Sequence, residues 1–253
     1  MFRIDHLRDE RRYDARCSKT WAMFRGDDLV PTERVSTADG ALSRTRLRLR
    51  VPEGWGSAAA YPKLRGGDYQ IENPGRRFDR PQGWFIMGQL GVVREEVSGV
   101  RVSIAGPRGS GIHRQDKLAL LRWTMPTLRE LLGQMPDRLL IVSAGDPMWR
   151  GGLSAPRSFY MHADRPLIEE DGTSPLLHEV MHTALRLRAG SDGDWAVEGL
   201  AEYYSLQLLV RSGTVSRERS EYSYDRLAEH GKEAAHLRSH SISGVRRSPG
   251  MSA

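Results

Sequence analysis

The sequence contains few of the residues that build disulfides or membrane spans. Cys17 is its single cysteine, so no disulfide can form within the chain. No run approaches the roughly 18 consecutive apolar residues of a membrane-spanning helix. The first residues, Met1 to Arg8, lack the apolar stretch of a signal peptide. The compartment stays open, because these absences favour the cytoplasm but fit an exported protein whose upstream part is missing.

Lysine is also scarce, and arginine takes its place. Of 38 basic residues only four are lysines, and the net charge is +6. A basic surface that binds nucleic acid is one hypothesis. The arginines are scattered along the chain and no basic motif interleaved with aromatic residues occurs, so we favour a general bias in composition and expect no nucleic-acid partner.

A metal-binding motif, H-E-x-x-H, lies between His178 and His182. Ser174 can cap a helix that begins with Pro175, and Gly190 is expected to end it. Residues four apart lie on one face of a helix, so both imidazoles can reach one ion. A helical histidine pair with a purely structural role is the alternative interpretation of these five residues.

A second helix is predicted from about Trp195 to Arg211, with Asp192 or Asp194 as its cap. A short turn joins the two helices, so they can pack antiparallel and bring Glu198 in the first turn back toward the histidines. Two histidines and one glutamate leave a coordination position of Zn²⁺ free for water.

Two further glutamates have predicted roles at this site. Glu179 can take a proton from the metal-activated water and pass it to the leaving amine. Glu202, four residues after Glu198, can hydrogen-bond a ligand imidazole from behind, or it can be a solvated helix residue.

The pattern H-E-x-x-H followed by W-x-x-E-G-x-x-x-Y-Y resembles the gluzincin metallopeptidases. Within them it is most similar to the glycyl aminopeptidase family and more distantly to the aminopeptidase N family. The resemblance runs from about Thr45 to Glu233 and is specific only from Gly151 to Tyr204. It implies one zinc ion bound by His178, His182 and Glu198, with Glu179 as general base, and a thermolysin-like catalytic fold.

An α+β fold is predicted, with a β-rich N-terminal part before a mainly helical, thermolysin-like domain that carries a small edge-strand sheet. Residues 1–40 are expected to be irregular, with weak helical character near Asp5 to Arg16. Residues 41–106 are expected to be β-rich, 107–240 to form the catalytic domain with an incomplete C-terminal lobe, and 241–253 to be disordered. A helix is predicted from Arg114 to Met135, kinked or split at Pro126.

The resemblance leaves two parts of a peptidase site without a clear match. In the aminopeptidases a glutamate before the edge strand grips the free amine of the substrate, and the matching place here, Gly152-Leu153-Ser154, has no glutamate. The edge strand itself is expected at Ser158 to His162, with His162 in a polar surface or cleft position. Tyr222 and Tyr224 are the candidates for stabilising the oxyanion.

A zinc-dependent metallopeptidase acting on a peptide or protein substrate is therefore the favoured function. The alternative is a catalytically weak or inactive zinc-binding member of the family that acts as a binding module. Endopeptidase versus exopeptidase activity, the substrate and the oligomeric state stay open.

Overall fold

A computed structural model describes residues 4–31, 36, 38–73, 80–190 and 193–233. It contains both strands and helices, as an α+β fold requires. The strands are β1 (His6–Leu7), β2 (Tyr13–Cys17), β3 (Trp21–Arg25), β4 (Thr45–Leu47), β5 (Gly56–Ala59), β6 (Tyr69–Ile71), β7 (Trp84–Gly88), β8 (Leu90–Val97), β9 (Val100–Pro107), β10 (Arg138–Val142), β11 (Gly152–Ala155) and β12 (Ser158–Met161). The helices are α1 (Gly26–Leu29), α2 (Arg114–Leu132), α3 (Pro175–Leu185), α4 (Asp194–Arg211) and α5 (Arg217–Glu233). The predicted tail at 241–253 lies outside the described residues.

The N-terminal sheet has the strand order β1-β2-β3-β7-β5, and β4 pairs with β6 separately. The prediction of an irregular, weakly helical start is therefore wrong where the structure describes it. The short apolar run of β3 buries Met23 and Phe24, and Phe24 stacks on Phe85 of β7 with ring centroids 5.8 Å apart. The residues predicted to be weakly helical form β1 and β2, which pair with each other, and β2 also pairs with β3. Sheet pairing thus overrides the weak local preference for a helix.

The second sheet has the order β11-β12-β10-β9-β8. Strand β10 runs parallel to both β9 and β12, whereas β11 pairs with β12 and β8 with β9 in antiparallel fashion. The prediction that the strand beginning at Ser158 forms the edge is wrong. That strand, β12, lies inside the sheet, and β11 forms the edge. The expected boundary between 41–106 and 107–240 falls at the end of β9, inside this sheet.

Helix α2 covers one face of the second sheet and continues through Pro126 without a break. Leu121, Met125 and Leu128 are each fully buried on its inner face, so packing holds the helix together where proline removes one hydrogen bond. The helix ends three residues before the predicted Met135. Gly133 adopts a left-handed conformation there (φ +68°) and donates its N–H to the Arg129 carbonyl at 2.9 Å.

Two packed cores flank the second sheet. One lies between the sheet and helices α2, α3 and α4, and the other between the two five-stranded sheets. In the second core the indole of Trp84 packs against Tyr160 and donates its Nε1–H to the Leu153 carbonyl at 2.8 Å. This bond holds β11, the edge strand, against the N-terminal sheet. Within the described ranges, no helix has the length and apolar character needed to cross a membrane.

Candidate active site

Helix α3 begins as predicted, at a serine cap. The Ser174 hydroxyl accepts the Leu177 N–H at 3.3 Å and donates to the Leu167 carbonyl at 2.7 Å. The helix ends at Leu185, so the expected stop at Gly190 is wrong. Arg186 takes the left-handed conformation itself (φ 50°) and donates its N–H to the His182 carbonyl at 3.1 Å. A non-glycine residue can thus form the C-cap that we expected from glycine.

Apolar burial orients α3. Its buried apolar side chains enter the core shared with the second sheet and α2; they are Leu176, Leu177, Val180 and Met181. The remaining surface packs against α4 and β11. Because residues i and i+4 share a face, this packing points His178 and His182 together toward α4.

Helix α4 supplies the carboxylates that meet these histidines. It starts at Asp194, and its cap is Gly193 with no side-chain hydrogen bond, so Asp194 is not the cap we expected. Asp192, the other predicted cap, lies outside the described residues. Packing of α4 on α3 brings Glu198 and Glu202, one turn apart, against the two imidazoles.

The three predicted metal ligands form a compact triangle. The Nε2 atoms of His178 and His182 are 2.9 Å apart, and each lies 3.2 Å from Oε2 of Glu198. Ligand atoms bound tetrahedrally to Zn²⁺ at about 2.0–2.1 Å lie about 3.3 Å from one another. The donor set, two nitrogens and one carboxylate oxygen, therefore fits a zinc ion in both chemistry and spacing. Within the part of the chain that the structure describes, this is the one group that could hold a metal ion.

Glu202 lies behind this triangle. Its Oε2 is 2.8 Å from Nδ1 of His178, the ring nitrogen that faces away from the other ligands. When the ring is neutral, as metal binding requires, an acceptor at this distance favours the tautomer in which Nδ1 carries the proton and Nε2 keeps its lone pair free. The contact matches the predicted hydrogen bond to a ligand imidazole, in preference to the alternative of a solvated glutamate.

The charges of the metal-free cluster reinforce one another. Burial would lower the pKa of His178, but hydrogen bonds to Glu198 and Glu202 outweigh it and raise that pKa to about 10. Burial would raise the pKa of Glu198, but its hydrogen bonds to His178 and His182 lower it to about 2. Without metal, a proton on His178 thus occupies the place where a cation would bind.

Glu179 lies beside this triangle in a different environment. Its side chain is buried, and burial raises the pKa of its carboxyl to about 7. Its Oε2 has no hydrogen-bond partner among the described residues. A carboxylate with a pKa near neutrality can both accept and return a proton at physiological pH.

The edge strand β11 runs past Glu179. An ideal Cβ added to Gly152 would lie 2.6 Å from Cδ of Glu179 and closer still to its Oε1. The Gly151 carbonyl accepts the His162 N–H at 3.1 Å, so the Gly152 N–H on the opposite side of the same peptide points to the free edge. From the sequence, Gly152 was considered only as part of a segment that lacks a glutamate. A glycine pair before an edge strand is itself a signal of close approach.

His162 takes no part in the cluster. Its side chain is 1% exposed, so the predicted surface or cleft position is wrong. Successive residues of a strand point to opposite faces, and Tyr160 packs between the two sheets. His162 therefore points away from α3, and its Nε2 lies 3.6 Å from Oδ1 of Asp146.

The two predicted oxyanion candidates lie on α5 and have partners of their own. The Tyr224 hydroxyl accepts a hydrogen bond from Nε2 of Gln207 at 2.8 Å. Tyr222 is 49% exposed on α5, with the Arg219 guanidinium over its ring. Among the described residues neither hydroxyl hydrogen-bonds to His178, His182 or Glu198.

No model of a protein family matches the sequence, and no curated protein matches it either. Among solved structures, the chain is similar to an aminopeptidase N family protein from Idiomarina loihiensis, with a TM-score of 0.62 and 17% identity over 85% of this chain and 41% of that one. The two proteins share a fold. An M1 zinc metallopeptidase variant from Deinococcus radiodurans is matched with a TM-score of 0.48 and 17% identity, over 77% of this chain and 46% of that one. The chain thus spans less than half the length of either protein.

Proposed function

We propose that this protein is a zinc-dependent metallopeptidase that hydrolyses peptide bonds in a peptide or protein substrate. One observation carries the proposal: two imidazoles and a carboxylate converge within 3.2 Å, with the buried Glu179 beside them. The fold shared with an aminopeptidase N family protein supports it. We also propose the thermolysin-like arrangement of the catalytic helices that the sequence resemblance implies.

In this proposal His178, His182 and Glu198 hold one Zn²⁺. A bound zinc ion would polarise the scissile carbonyl and lower the pKa of its water to about 7. Glu179 accepts a proton from the attacking water and donates it to the leaving amine. Its pKa of about 7 suits both halves of this transfer, since neither protonation state is strongly disfavoured at neutral pH.

Glu202 serves this site through His178. By accepting from Nδ1 it orients the ring and makes Nε2 the better electron-pair donor. Its carboxylate also adds negative charge near the ion, which supports retention of a dication. Glu202 is thus proposed as a positioning residue for the metal.

The finer assignment concerns the end of the substrate that the enzyme recognises. The resemblance to glycyl aminopeptidases suggests removal of N-terminal residues. The place where that resemblance expects the amine-anchoring glutamate is Gly152-Leu153-Ser154, which contains none, so the amine anchor is not identified. A peptide substrate can still pair with the free edge of β11, where the Gly152 N–H points.

A second candidate function is a zinc-binding family member with weak or no catalysis. It is favoured by the position of the two tyrosines, because Tyr224 bonds to Gln207 and Tyr222 lies exposed on α5. In that case the same three ligands hold zinc, and the cleft beside β11 binds a peptide without cleaving it.

Replacing Glu179 by Gln separates these functions. For a peptidase, we expect zinc to stay bound and hydrolysis of a peptide library to fall about 100-fold or more, because the general base is lost. Glu130→Gln, at an exposed position of α2, is the matched control and should keep full activity. Undiminished hydrolysis by zinc-loaded Glu179→Gln protein would contradict the mechanism. A zinc-loaded wild type that binds peptides without cleaving them would favour the second function.

A further inference from the structure

We propose that Gly152 is a positioning residue for Glu179: the missing side chain on this edge-strand residue creates the space in which the carboxylate lies. This inference rests on the proposed peptidase function for its catalytic meaning. Its structural part concerns only residues within the chain, and it can be tested without turnover.

The three glutamates of the site are held in different ways. Oxygens of Glu198 and Glu202 each face a histidine nitrogen at hydrogen-bonding distance. The side chain of Glu179 has no such bond to any described residue, and its Oε2 is buried without a partner. Within the protein, its place is therefore set by the shape of its surroundings and not by bonds to other side chains.

The wall of that space is the backbone of β11. A Cβ at Gly152 would lie 2.6 Å from Cδ and 2.7 Å from Cγ of Glu179, closer than real Cβ atoms come to other atoms. The carboxylate thus occupies the volume that any other residue at 152 would fill. The register of β11 on β12, with Gly152 opposite Met161, fixes this wall relative to the core.

The preceding glycine is closely enclosed as well. A Cβ at Gly151 would lie 2.8 Å from Cε2 of the Trp149 indole. Gly151 and Gly152 point to opposite faces of the strand. The start of β11 therefore passes between the Trp149 ring and the Glu179 carboxylate, and it has contact on both sides.

An alanine at 152 should consequently displace the carboxylate. Restoring an ordinary contact of 3.4 Å from the present 2.6 Å requires a shift of about 1 Å. A misplacement of about 1 Å at a reacting group can reduce the rate about 100-fold. Zinc binding should survive, since the three atoms nearest to that Cβ all belong to Glu179 and none to His178, His182 or Glu198.

The first test is a crystal structure of the Gly152→Ala protein beside the wild type, both loaded with zinc. We expect the Glu179 carboxylate to move by about 1 Å while the three ligands keep their places. Gly145→Ala is the matched control, because a Cβ there meets nothing within 4 Å. Gly151→Ala controls for strain in β11, and it should disturb Trp149 and leave Glu179 in place. An unmoved carboxylate in Gly152→Ala overturns the proposal.

The second test is kinetic. We expect kcat of Gly152→Ala to fall about 100-fold with a smaller change in KM and unchanged zinc content. Combining it with Glu179→Asp, which is one methylene shorter, should make room for the new methyl group. The double variant should therefore have the same kcat as Glu179→Asp. If Gly152→Ala alone does not fold, the double variant still tests the proposal. If Gly152→Ala lowers kcat of the Glu179→Asp protein by the same factor as it lowers kcat of the wild type, the proposal is overturned. A wild type without peptidase activity defeats the proposed function, and the crystal structures still decide the role of Gly152.

Discussion

Glu202 offers a graded test of how the site holds its metal. Its Oε2 lies 2.8 Å from Nδ1 of His178, and the two side chains are only 22% and 20% exposed, so water screens the contact little. Groups that hydrogen-bond a metal-ligating histidine typically contribute 10–100-fold to affinity. That range corresponds to about 1.4–2.8 kcal/mol in binding free energy.

Two substitutions should span this range. Glu202→Gln keeps an oxygen that can accept from Nδ1 but removes the charge, so we expect a loss of about 10-fold in zinc affinity. Glu202→Ala removes both acceptor and charge and leaves the ring free to turn, so we expect a loss of about 100-fold. Glu221→Gln, an exposed glutamate on α5 that pairs with Arg217, is the control and should bind zinc like the wild type.

Zinc affinity is measured by competition with a chelator of known affinity, and circular dichroism checks that each variant is folded. At every pH tested, zinc affinity should fall from the wild type to Glu202→Gln and again to Glu202→Ala. Folded variants that bind zinc as tightly as the wild type would refute the role of Glu202. If Glu202→Gln loses as much zinc affinity as Glu202→Ala, only the charge of Glu202 matters and its hydrogen bond contributes nothing.

Two further predictions concern stability. In the metal-free protein the pKa of His178 is raised to about 10, because hydrogen bonds to Glu198 and Glu202 outweigh burial. The protonated His178 therefore stabilises the folded state. Its contribution is complete below about 6.5, the pKa of histidine in the unfolded chain, and is lost as the pH rises toward 10. Urea unfolding without metal should therefore show falling stability over that interval, and a flat profile would contradict the cluster. Separately, Leu121→Ala, at a fully buried position of α2, should cost about 2–5 kcal/mol in the same assay, and a loss under 1 kcal/mol would contradict the packing.

The convergence of His178, His182 and Glu198 could be predicted from the sequence because its causes are local. The spacing of the histidines, the apolar face of α3 and the short turn before α4 all act within one helical hairpin. The cap at Ser174 is local as well. Helix geometry alone then brings the side chains together.

The features that the sequence did not reveal depend on contacts between distant segments. The position of β11 at the sheet edge follows from the order of five strands, which no local pattern encodes. The strand β3 forms because it can pair with β7, far away in the chain. The left-handed cap of α3 at Arg186 was not predicted, because glycine is the residue that most easily takes this conformation. The contact of Gly152 with Glu179 likewise appears only when β11 and α3 pack together.

The most direct test of the account is the metal content of the purified protein, measured by mass spectrometry beside the His182→Ala variant. We predict about one zinc per wild-type chain and loss of that zinc in the folded variant, because one of three ligands is removed. A folded wild-type protein that takes up no zinc would contradict it, and the convergence of His178, His182 and Glu198 would then be a structural feature without a metal.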